Sequence, residues 1–190
     1  ETVALPLYVE SIGNYAFYQC LELANITISK NLTNIGYSTF GCCSSLTSIV
    51  VESGNPIYDS RENCNALIET ETNKLIVGCN TSTIPVGIVV IADSAFASCK
   101  DLTSIVIPDG VINLGYKAFY GCTGLTEVSI PNGVMAIKSS TFANCSRLAN
   151  ITIPESVTTI GSSAFKGCVA LANVTIPDGV TTIEEEAFEN

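Results

Sequence analysis

The spacing of phenylalanine constrains this chain more than any other feature. All seven phenylalanines fall in two runs with a step of 23 residues: Phe17 and Phe40, then Phe96, Phe119, Phe142, Phe165 and Phe188. A fixed period of this length is typical of solenoids, in which each short unit packs only on its neighbours. The chain is therefore predicted to be a stack of short units. No phenylalanine is left over for an aromatic pocket.

Each unit carries one strand pattern followed by a turn. The clearest copy starts at Cys145 and reads C-x-x-L-x-x-I-x-I-P-x-x-V-x-x-I-G-x-x-A-F-x-G up to Cys168, and seven copies align. The I-x-I stretch alternates apolar and polar residues, as a strand with one buried face does, and the following proline ends it. We expect V-x-x-I to return as extended chain, followed by a short helical or 3-10 turn at Ala-Phe.

The signature I-x-I-P-x-x-V-x-x-I-G-x-x-A-F-x-x-C resembles the BspA-type leucine-rich repeat, also called the Treponema pallidum type, over nearly the whole chain. This resemblance implies an α/β leucine-rich-repeat solenoid with a parallel β-sheet on the concave face and short helical turns and extended chain on the convex face. It also implies a surface or secreted protein that serves adhesion and binding of host proteins. We expect residues 1–190 to form one such domain and to be a fragment of a longer array.

The period is interrupted once, between Phe40 and Phe96. The extra segment, from Ser53 to Ile84, contains two β-rich runs around a Thr-Asn-Lys turn and is predicted to be a hairpin insert. It is too short to hold a core of its own. Similar inserts recur in the family that the chain resembles. Two interpretations remain open: a structural insert typical of that family, or a loop that carries binding.

The outward side chains of the strands form the candidate ligand-facing surface. Between the two core aliphatics lie Thr27, Val50, Val106, Ser129, Thr152 and Thr175, and two positions earlier lie Asn25, Ser48, Ser104, Glu127, Asn150 and Asn173. Tyr58, in the insert, is a further candidate. The rows are mostly hydroxyl and amide groups with no aromatic, whereas strong interface anchors are enriched in Trp, Tyr and Arg. They predict either weak polar or glycan recognition or a β-compatible surface without a ligand.

The charge balance narrows the class of partner. A net charge of −10 and a pI near 4.3 argue against nucleic acid and against anionic membrane surfaces. No apolar run approaches the roughly 20 residues that span a bilayer, so this chain is not expected to insert in a membrane. We expect a monomer, extracellular or at the cell surface, whose partner is a host or neighbouring-cell protein or glycan. Binding should be weak and depend on avidity.

Five tyrosines lie within three residues of a repeat phenylalanine: Tyr15, Tyr18, Tyr37, Tyr116 and Tyr120. This position puts them on the convex side or the edge of each unit. They could pack over neighbouring units or supply amphipathic anchor area for a partner.

Six N-glycosylation-type sequons occur, at Asn25, Asn31, Asn80, Asn144, Asn150 and Asn173. Three of them recur at one strand position, so the repeat composition generates them, and glycans there would block the concave sheet. A bacterial source is favoured.

Nine cysteines suggest a column of thiols rather than disulfides or a metal site. Six occupy one repeat position: Cys20, Cys43, Cys99, Cys122, Cys145 and Cys168. A zinc site needs close, converging ligands, and the chain has no histidine. These six are predicted to be buried and reduced. Cys64 and Cys79 face each other in one hairpin register, but the neighbouring register pairs Cys79 with Ala66, so a disulfide there stays open.

Catalysis has little support in the sequence. The absence of histidine removes the commonest general base, and no nucleophile-elbow, phosphate-loop or metalloprotease motif occurs. The densest carboxylate cluster, Glu184 to Glu186 with Glu189, is predicted to be a solvated first helical turn. We therefore predict no enzyme, no cofactor and no metal. The expected function is a non-catalytic adhesion or binding module, and the alternative is a stiff spacer that presents another domain.

Overall fold

The computed structural model describes residues 1–190 as a solenoid whose neighbouring rungs are offset by 23 residues, for example Thr2 beside Asn25 and Glu127 beside Asn150. The predicted solenoid is confirmed. Its strands are β1 Thr2–Ala4, β2 Ser11–Ile12, β3 Asn25–Ile28, β4 Asn34–Ile35, β5 Ser48–Val51, β6 Tyr58–Asp59, β7 Leu67–Glu69, β8 Lys74–Val77, β9 Val90–Ile91, β10 Asn113–Leu114, β11 Glu127–Ser129, β12 Ala136–Ile137, β13 Asn150–Thr152, β14 Thr159–Ile160 and β15 Thr182–Ile183.

The I-x-I segments form the first ladder, which is the parallel sheet that the sequence predicts. It comprises β1-β3-β5 in the N-terminal part and β11-β13 in the C-terminal part, where Ser104 adds a parallel bridge to Glu127. The alternation read from the sequence is confirmed in β3, where Ile26 and Ile28 are buried and Asn25 and Thr27 are half-buried.

The V-x-x-I segments form a second parallel ladder, where only extended chain was expected. Its strands pair as β2-β4, β9-β10 and β12-β14-β15. The pairing extends into the glycine that follows, since the N–H of Gly115 donates to the carbonyl of Ile91 at 2.9 Å. Each regular rung therefore contributes two short strands to the stack.

The prediction of a helical turn at Ala-Phe is wrong. Around Phe96 the chain makes three overlapping turns. In each turn an N–H group, that of Ala95, Ala97 or Cys99, donates to the backbone carbonyl three residues earlier. The intervening N–H groups of Ser94, Phe96 and Ser98 donate to carbonyls of the next rung. We call this arrangement the turn ladder. A helical segment would satisfy its N–H groups within itself and leave the next rung unpaired.

The turn ladder requires left-handed backbone at two positions of each rung. Two residues before each phenylalanine, φ lies between +48° and +58° at Tyr15, Ser38, Ser94, Lys117, Ser140, Ser163 and Glu186. Two residues after it, φ is again positive at Gln19, Cys42, Ser98, Gly121, Asn144 and Gly167. Because non-glycine residues adopt this region at some cost, the strain is offset by the hydrogen bonds between rungs.

The phenylalanines stack in the core as the period predicts. Phe119 and Phe142 are fully buried, with ring centroids 5.3 Å apart and planes within 4°. Similar stacking links Phe17 to Phe40 and runs from Phe96 to Phe188. The column is interrupted only between Phe40 and Phe96, where the insert enters.

The predicted hairpin in the insert is confirmed as β7 and β8, which are antiparallel with a bulge between Leu67 and Ile68. β6 pairs with β7, and β8 pairs in parallel with β9, which gives the sheet order β10-β9-β8-β7-β6. The insert is thus built into the second ladder. Its side chains Leu67, Ile68 and Leu75 are fully buried.

Next to the turn, Ile68 faces Leu75, which is the register that would place Cys64 opposite Cys79, but the bulge shifts the pairing before it reaches the cysteines. Leu67 faces Val77, and the Cys79 thiol lies 3.2 Å from the carbonyl oxygen of Asn65. The Cys64 thiol instead points to the Ala66 carbonyl at 3.8 Å. All nine cysteines carry free thiols.

Helix is almost absent. A single 3-10 turn spans Arg61–Asn63 in the insert. No helix of the structure has the length and apolarity needed to cross a membrane.

Candidate functional site

The first ladder positions the candidate side chains in two rows, because alternate residues of a strand point to the same side of a sheet. The parallel register aligns Ser104 with Glu127 and Glu127 with Asn150, and it aligns Ser129 with Thr152. All five side chains are exposed. We call the surface formed by these five residues the strand face.

The strand face contains a shallow hollow of about 270 Å³ lined by all five of its residues. Buried Ile107 and Val128 lie beneath it, while Val106 projects with 82% of its surface exposed. The hollow therefore combines hydroxyl, amide and carboxylate groups with one exposed aliphatic side chain. This composition suits hydrogen bonding to a polar surface or a sugar.

Four further candidates from the sequence lie outside this hollow. Asn25 and Thr27 are in β3, on the other side of the insert, and are half-buried; the Asn25 amide donates to Thr2 Oγ1 at 3.2 Å. Asn173 and Thr175 are exposed, but their segment forms no strand. The structure thus joins five of the ten predicted residues at one place.

Tyr58 is corrected as a ligand-facing candidate. Only 5% of its surface is exposed, and its hydroxyl accepts a hydrogen bond from the N–H of Ile35 at 3.0 Å. Burial is the main reason that the pKa of the Tyr58 hydroxyl is raised above its ordinary value. The sequence held a signal for this role, since Tyr58 lies 23 residues after Ile35 and so occupies the buried aliphatic position of the repeat.

The strand face is poor in ionisable side chains. Glu127 is its one ionisable side chain, and no group of three metal-ligating residues occurs anywhere in the structure. A lone exposed carboxylate has no partner acid or base. What the arrangement can do chemically is accept and donate hydrogen bonds.

The cysteine column has a role that sequence reasoning missed. The thiols of Cys43, Cys122, Cys145 and Cys168 each donate to the carbonyl of the phenylalanine 26 residues earlier, at 3.0 to 3.1 Å. Burial raises the pKa of Cys43 and of Cys168 to about 12. Because the thiolate is the reactive form, the raised pKa lowers the reactivity of Cys43 and Cys168 at neutral pH.

Charged contacts elsewhere are local. In the insert, partial burial opposes ionisation of Asp59, but the hydrogen bonds from Arg61 outweigh it and hold the Asp59 pKa below its ordinary value. At the C-terminal end, Lys166 pairs with Glu186 and Glu189. The predicted helical turn there is absent, and the carboxylates of this cluster are exposed, as expected.

Four of the five tyrosines near the repeat phenylalanines are exposed, Tyr120 is half-buried, and three of the exposed ones contact one another. Tyr15 packs edge-on against Tyr18 and Tyr37, with ring centroids 5.4 and 4.8 Å apart, and each of the three exposes 41% or more of its surface. The ammonium groups of Lys117 and Lys138 lie over the rings of Tyr120 and Tyr116. Both expected roles, packing over neighbouring rungs and presenting aromatic area, are thus compatible with this side.

Comparison with known proteins identifies the repeat. Residues 1–75 and 74–190 match the family described as BspA type leucine rich repeat region (6 copies). A leucine rich cell surface protein from Faecalibacterium prausnitzii A2-165 is 33% identical, with a TM-score of 0.87 over 97% of this chain and 50% of that one. No match was found among curated proteins.

More distant structures share the fold. A leucine-rich repeat protein from Bacteroides ovatus is 26% identical, with a TM-score of 0.63 over 99% of this chain and 43% of that one. The pneumococcal vaccine antigen PcpA is 21% identical, with a TM-score of 0.67 over 96% and 46%. The chain spans about half the length of these structures.

Proposed function

The chain belongs to the BspA-type leucine-rich-repeat family, and on that premise we propose that it is a non-catalytic binding module of a cell-surface or secreted bacterial protein. The observation that carries the proposal is the hollow on the strand face, where five polar side chains from three rungs meet over a buried aliphatic layer. A preformed, extended surface of this kind is how solenoids recognise partners.

The chemistry of the strand face sets the strength of binding. The hollow on it offers hydroxyl, amide and carboxylate groups and one exposed valine, but no aromatic or arginine anchor. Interfaces without such anchors seldom bind tightly as single copies. We therefore propose a host or neighbouring-cell protein or glycan as partner, held weakly by each copy and firmly by many copies at a surface.

Support for a surface location comes from the relative in Faecalibacterium prausnitzii, which is described as a cell surface protein. The protein has no cofactor in this proposal, and the module acts as a monomer. Its net charge of −10 disfavours nucleic acid as the partner.

A spacer function is the second candidate. The unbroken phenylalanine column from Phe96 to Phe188 and the three hydrogen-bonded ladders make the C-terminal rungs a stiff rod. A rod could hold another domain away from the cell without binding anything itself. The two functions differ in one respect: only the binding module loses function when the strand face is blocked.

Blocking variants provide the test. Ser129→Arg with Thr152→Arg places two long side chains in the hollow, while Thr158→Arg with Thr181→Arg adds the same charge at exposed positions of the second ladder. Tetramers of each protein are applied to an array of immobilised glycans and extracellular-matrix proteins. Binding that disappears only in the first variant supports the module; no binding by any tetramer supports the spacer.

A further inference from the structure

The interruption of the turn ladder leaves two facing edges with unused backbone hydrogen-bonding groups. On the N-terminal edge, the N–H groups of Ser38, Phe40 and Cys42 make no hydrogen bond within the protein. In every regular rung the corresponding groups donate to the next rung, as those of Lys117, Phe119 and Gly121 do. The N-terminal edge therefore offers a row of donors.

The opposite edge offers acceptors. In the rungs that follow, the carbonyls at these positions accept from the preceding rung, but those of Asp93 and Ala97 accept no hydrogen bond. Only the central carbonyl, that of Ala95, is used, by the N–H of Gly78 at 2.8 Å. Two facing edges with unused backbone N–H and carbonyl groups are a template on which another polypeptide segment can pair.

Gly78 explains why the edges stay apart. It occupies the place of the absent phenylalanine, since its carbonyl lies 3.9 Å from the Cys99 thiol and a side-chain carbon built on it would lie 2.1 Å from the Phe96 ring. Gly78 directly follows strand β8, and no turn hydrogen bond closes on either side of it as in a regular rung. The flanking donors and acceptors are left without partners as a result.

Two hollows lie between the two edges, with volumes of about 500 and 330 Å³. The larger is lined by Ser38 and Phe40 on one wall and Asp93 on the other; the smaller is lined by Cys42 and Ala97. Ser94 lines both, so the hollows adjoin. We call them together the split-ladder cleft.

The charge of the cleft is opposite to that of the chain. Four lysines line it, namely Lys74, Lys100, Lys117 and Lys138, and none of them forms an ion pair. Glu69 and Asp93 are the only carboxylates in its lining, although the whole chain carries a net charge of −10. Such local concentration of one sign selects a partner of the other.

Aromatic area surrounds the cleft. Tyr37 lines the larger hollow with 61% of its surface exposed, and Tyr18 lines the smaller one with 41% exposed. Tyr120 faces the smaller hollow from the opposite side. Tyrosines supply contact area at low entropic cost and are enriched where interfaces are strongest.

We propose that the split-ladder cleft binds a peptide segment of a partner protein that carries several aspartates or glutamates. The segment's carbonyls accept from Ser38, Phe40 and Cys42, its N–H groups donate to Asp93 and Ala97, and its carboxylates reach the four lysines. A polypeptide backbone is the partner that supplies both acceptors for one edge and donors for the other. This site is separate from the strand face and does not depend on the function proposed for it.

The first test selects ligands without assuming a sequence. Random twelve-residue peptides on phage are selected on the wild-type protein and counted for acidic residues. Winning peptides should be rich in Asp and Glu and should bind Lys100→Gln with Lys117→Gln at least tenfold more weakly. The matched variant Lys30→Gln with Arg147→Gln removes the same charge outside the cleft and should change affinity less than twofold. The proposal would be overturned if the selected peptides were uncharged or basic, if no peptide were selected, or if both variants lost affinity equally.

Amide hydrogen exchange reports the backbone contacts. A winning peptide at saturation should slow exchange of Ser38, Phe40 and Cys42, while Ser140 and Phe142, already hydrogen-bonded between rungs, stay unchanged. Two versions of that peptide are made, one N-methylated at its odd-numbered residues and one at its even-numbered residues. At least one version should bind tenfold or more weakly than the unmethylated peptide. Unchanged amide exchange, or unchanged affinity of both methylated peptides, would show that backbone pairing does not occur.

Other occupants give distinct results. Concentration-dependent dimers that compete with the peptide in sedimentation would assign the cleft to a second copy of this chain. Tight binding of a heparin decasaccharide with no acidic peptide selected would assign the lysines to a polyanionic sugar. Loss of peptide binding in Ser129→Arg with Thr152→Arg would move the site to the strand face. Each of these outcomes contradicts the proposal.

Discussion

The thiol of Cys145 donates a hydrogen bond to the backbone carbonyl of Phe119, 26 residues earlier, at 3.1 Å. Both side chains are fully buried, and the same contact recurs between Cys122 and Phe96 and between Cys168 and Phe142. The phenylalanine of each rung thus fills the core, and the cysteine of the following rung holds the backbone carbonyl of that phenylalanine by a hydrogen bond. Stability and regularity therefore come from the same two positions.

Truncation of the phenylalanine column should destabilise the protein. Phe142→Ala removes a ring stacked between Phe119 and Phe165 and should lower the free energy of unfolding by about 3–5 kcal/mol. Phe188 is half-buried and stacks on one side only, so Phe188→Ala should lower it by roughly 1–2 kcal/mol. Urea unfolding measures both values. Equal effects of the two variants would contradict the column as the core.

A glycine next to the column should tolerate no side chain. The carbon added by Gly78→Ala would lie 2.1 Å from the Phe96 ring, and such overpacking should lower the free energy of unfolding by about 1–3 kcal/mol. Gly13→Ala is the control, since nothing lies within 4 Å of its added carbon, and should change stability by less than about 0.5 kcal/mol. A neutral Gly78→Ala would show that β8 does not lie against Phe96.

The thiols should differ in reactivity according to burial. Cys20 and Cys42 are half-buried and the other seven cysteines are buried, so an aromatic disulfide reagent at pH 7.5 should label those two first. In denaturant all nine should react. Fewer than nine reactive thiols in protein denatured without reductant would reveal disulfides and contradict the free column.

Stability should fall in alkali because of the buried thiols. Burial raises the pKa of Cys43 and Cys168 from 9.0 to about 12, so the folded state keeps protons that the unfolded state releases. Their contribution is complete below about pH 9 and is lost as the pH rises towards about 12. Unfolding in urea at pH 8 and pH 11 should show a smaller loss of stability for Cys168→Ala than for wild type. Equal losses would contradict this linkage.

The period of 23 predicted the phenylalanine column and the first ladder because side-chain burial repeats with the sequence. It did not predict the turn ladder, since Ser94, Lys117 and Glu186 carry no common turn signal and their left-handed backbone is imposed by hydrogen bonds between rungs. The strand register within the insert was not predicted either, because it depends on a bulge at Leu67 that no local sequence pattern encodes.

The candidate surface was predictable in part. Ser104, Glu127, Ser129, Asn150 and Thr152 meet because strands one period apart align, which the sequence implies directly. The split-ladder cleft was not predictable, because it arises where two edges fail to pair, and a sequence pattern shows only what repeats. Its lysines are scattered over 65 residues from Lys74 to Lys138 and come together only in the fold.

If weak sites on the strand face bind a partner through multivalency, the monomer and a streptavidin-linked tetramer must differ in affinity on one array of glycans and matrix proteins. The tetramer should bind at least one array member roughly 10²-fold more tightly than the monomer, and Ser129→Arg with Thr152→Arg should abolish that binding. Nanomolar binding by the monomer, or tetramer binding that survives the blocked strand face, would contradict multivalent binding through this surface.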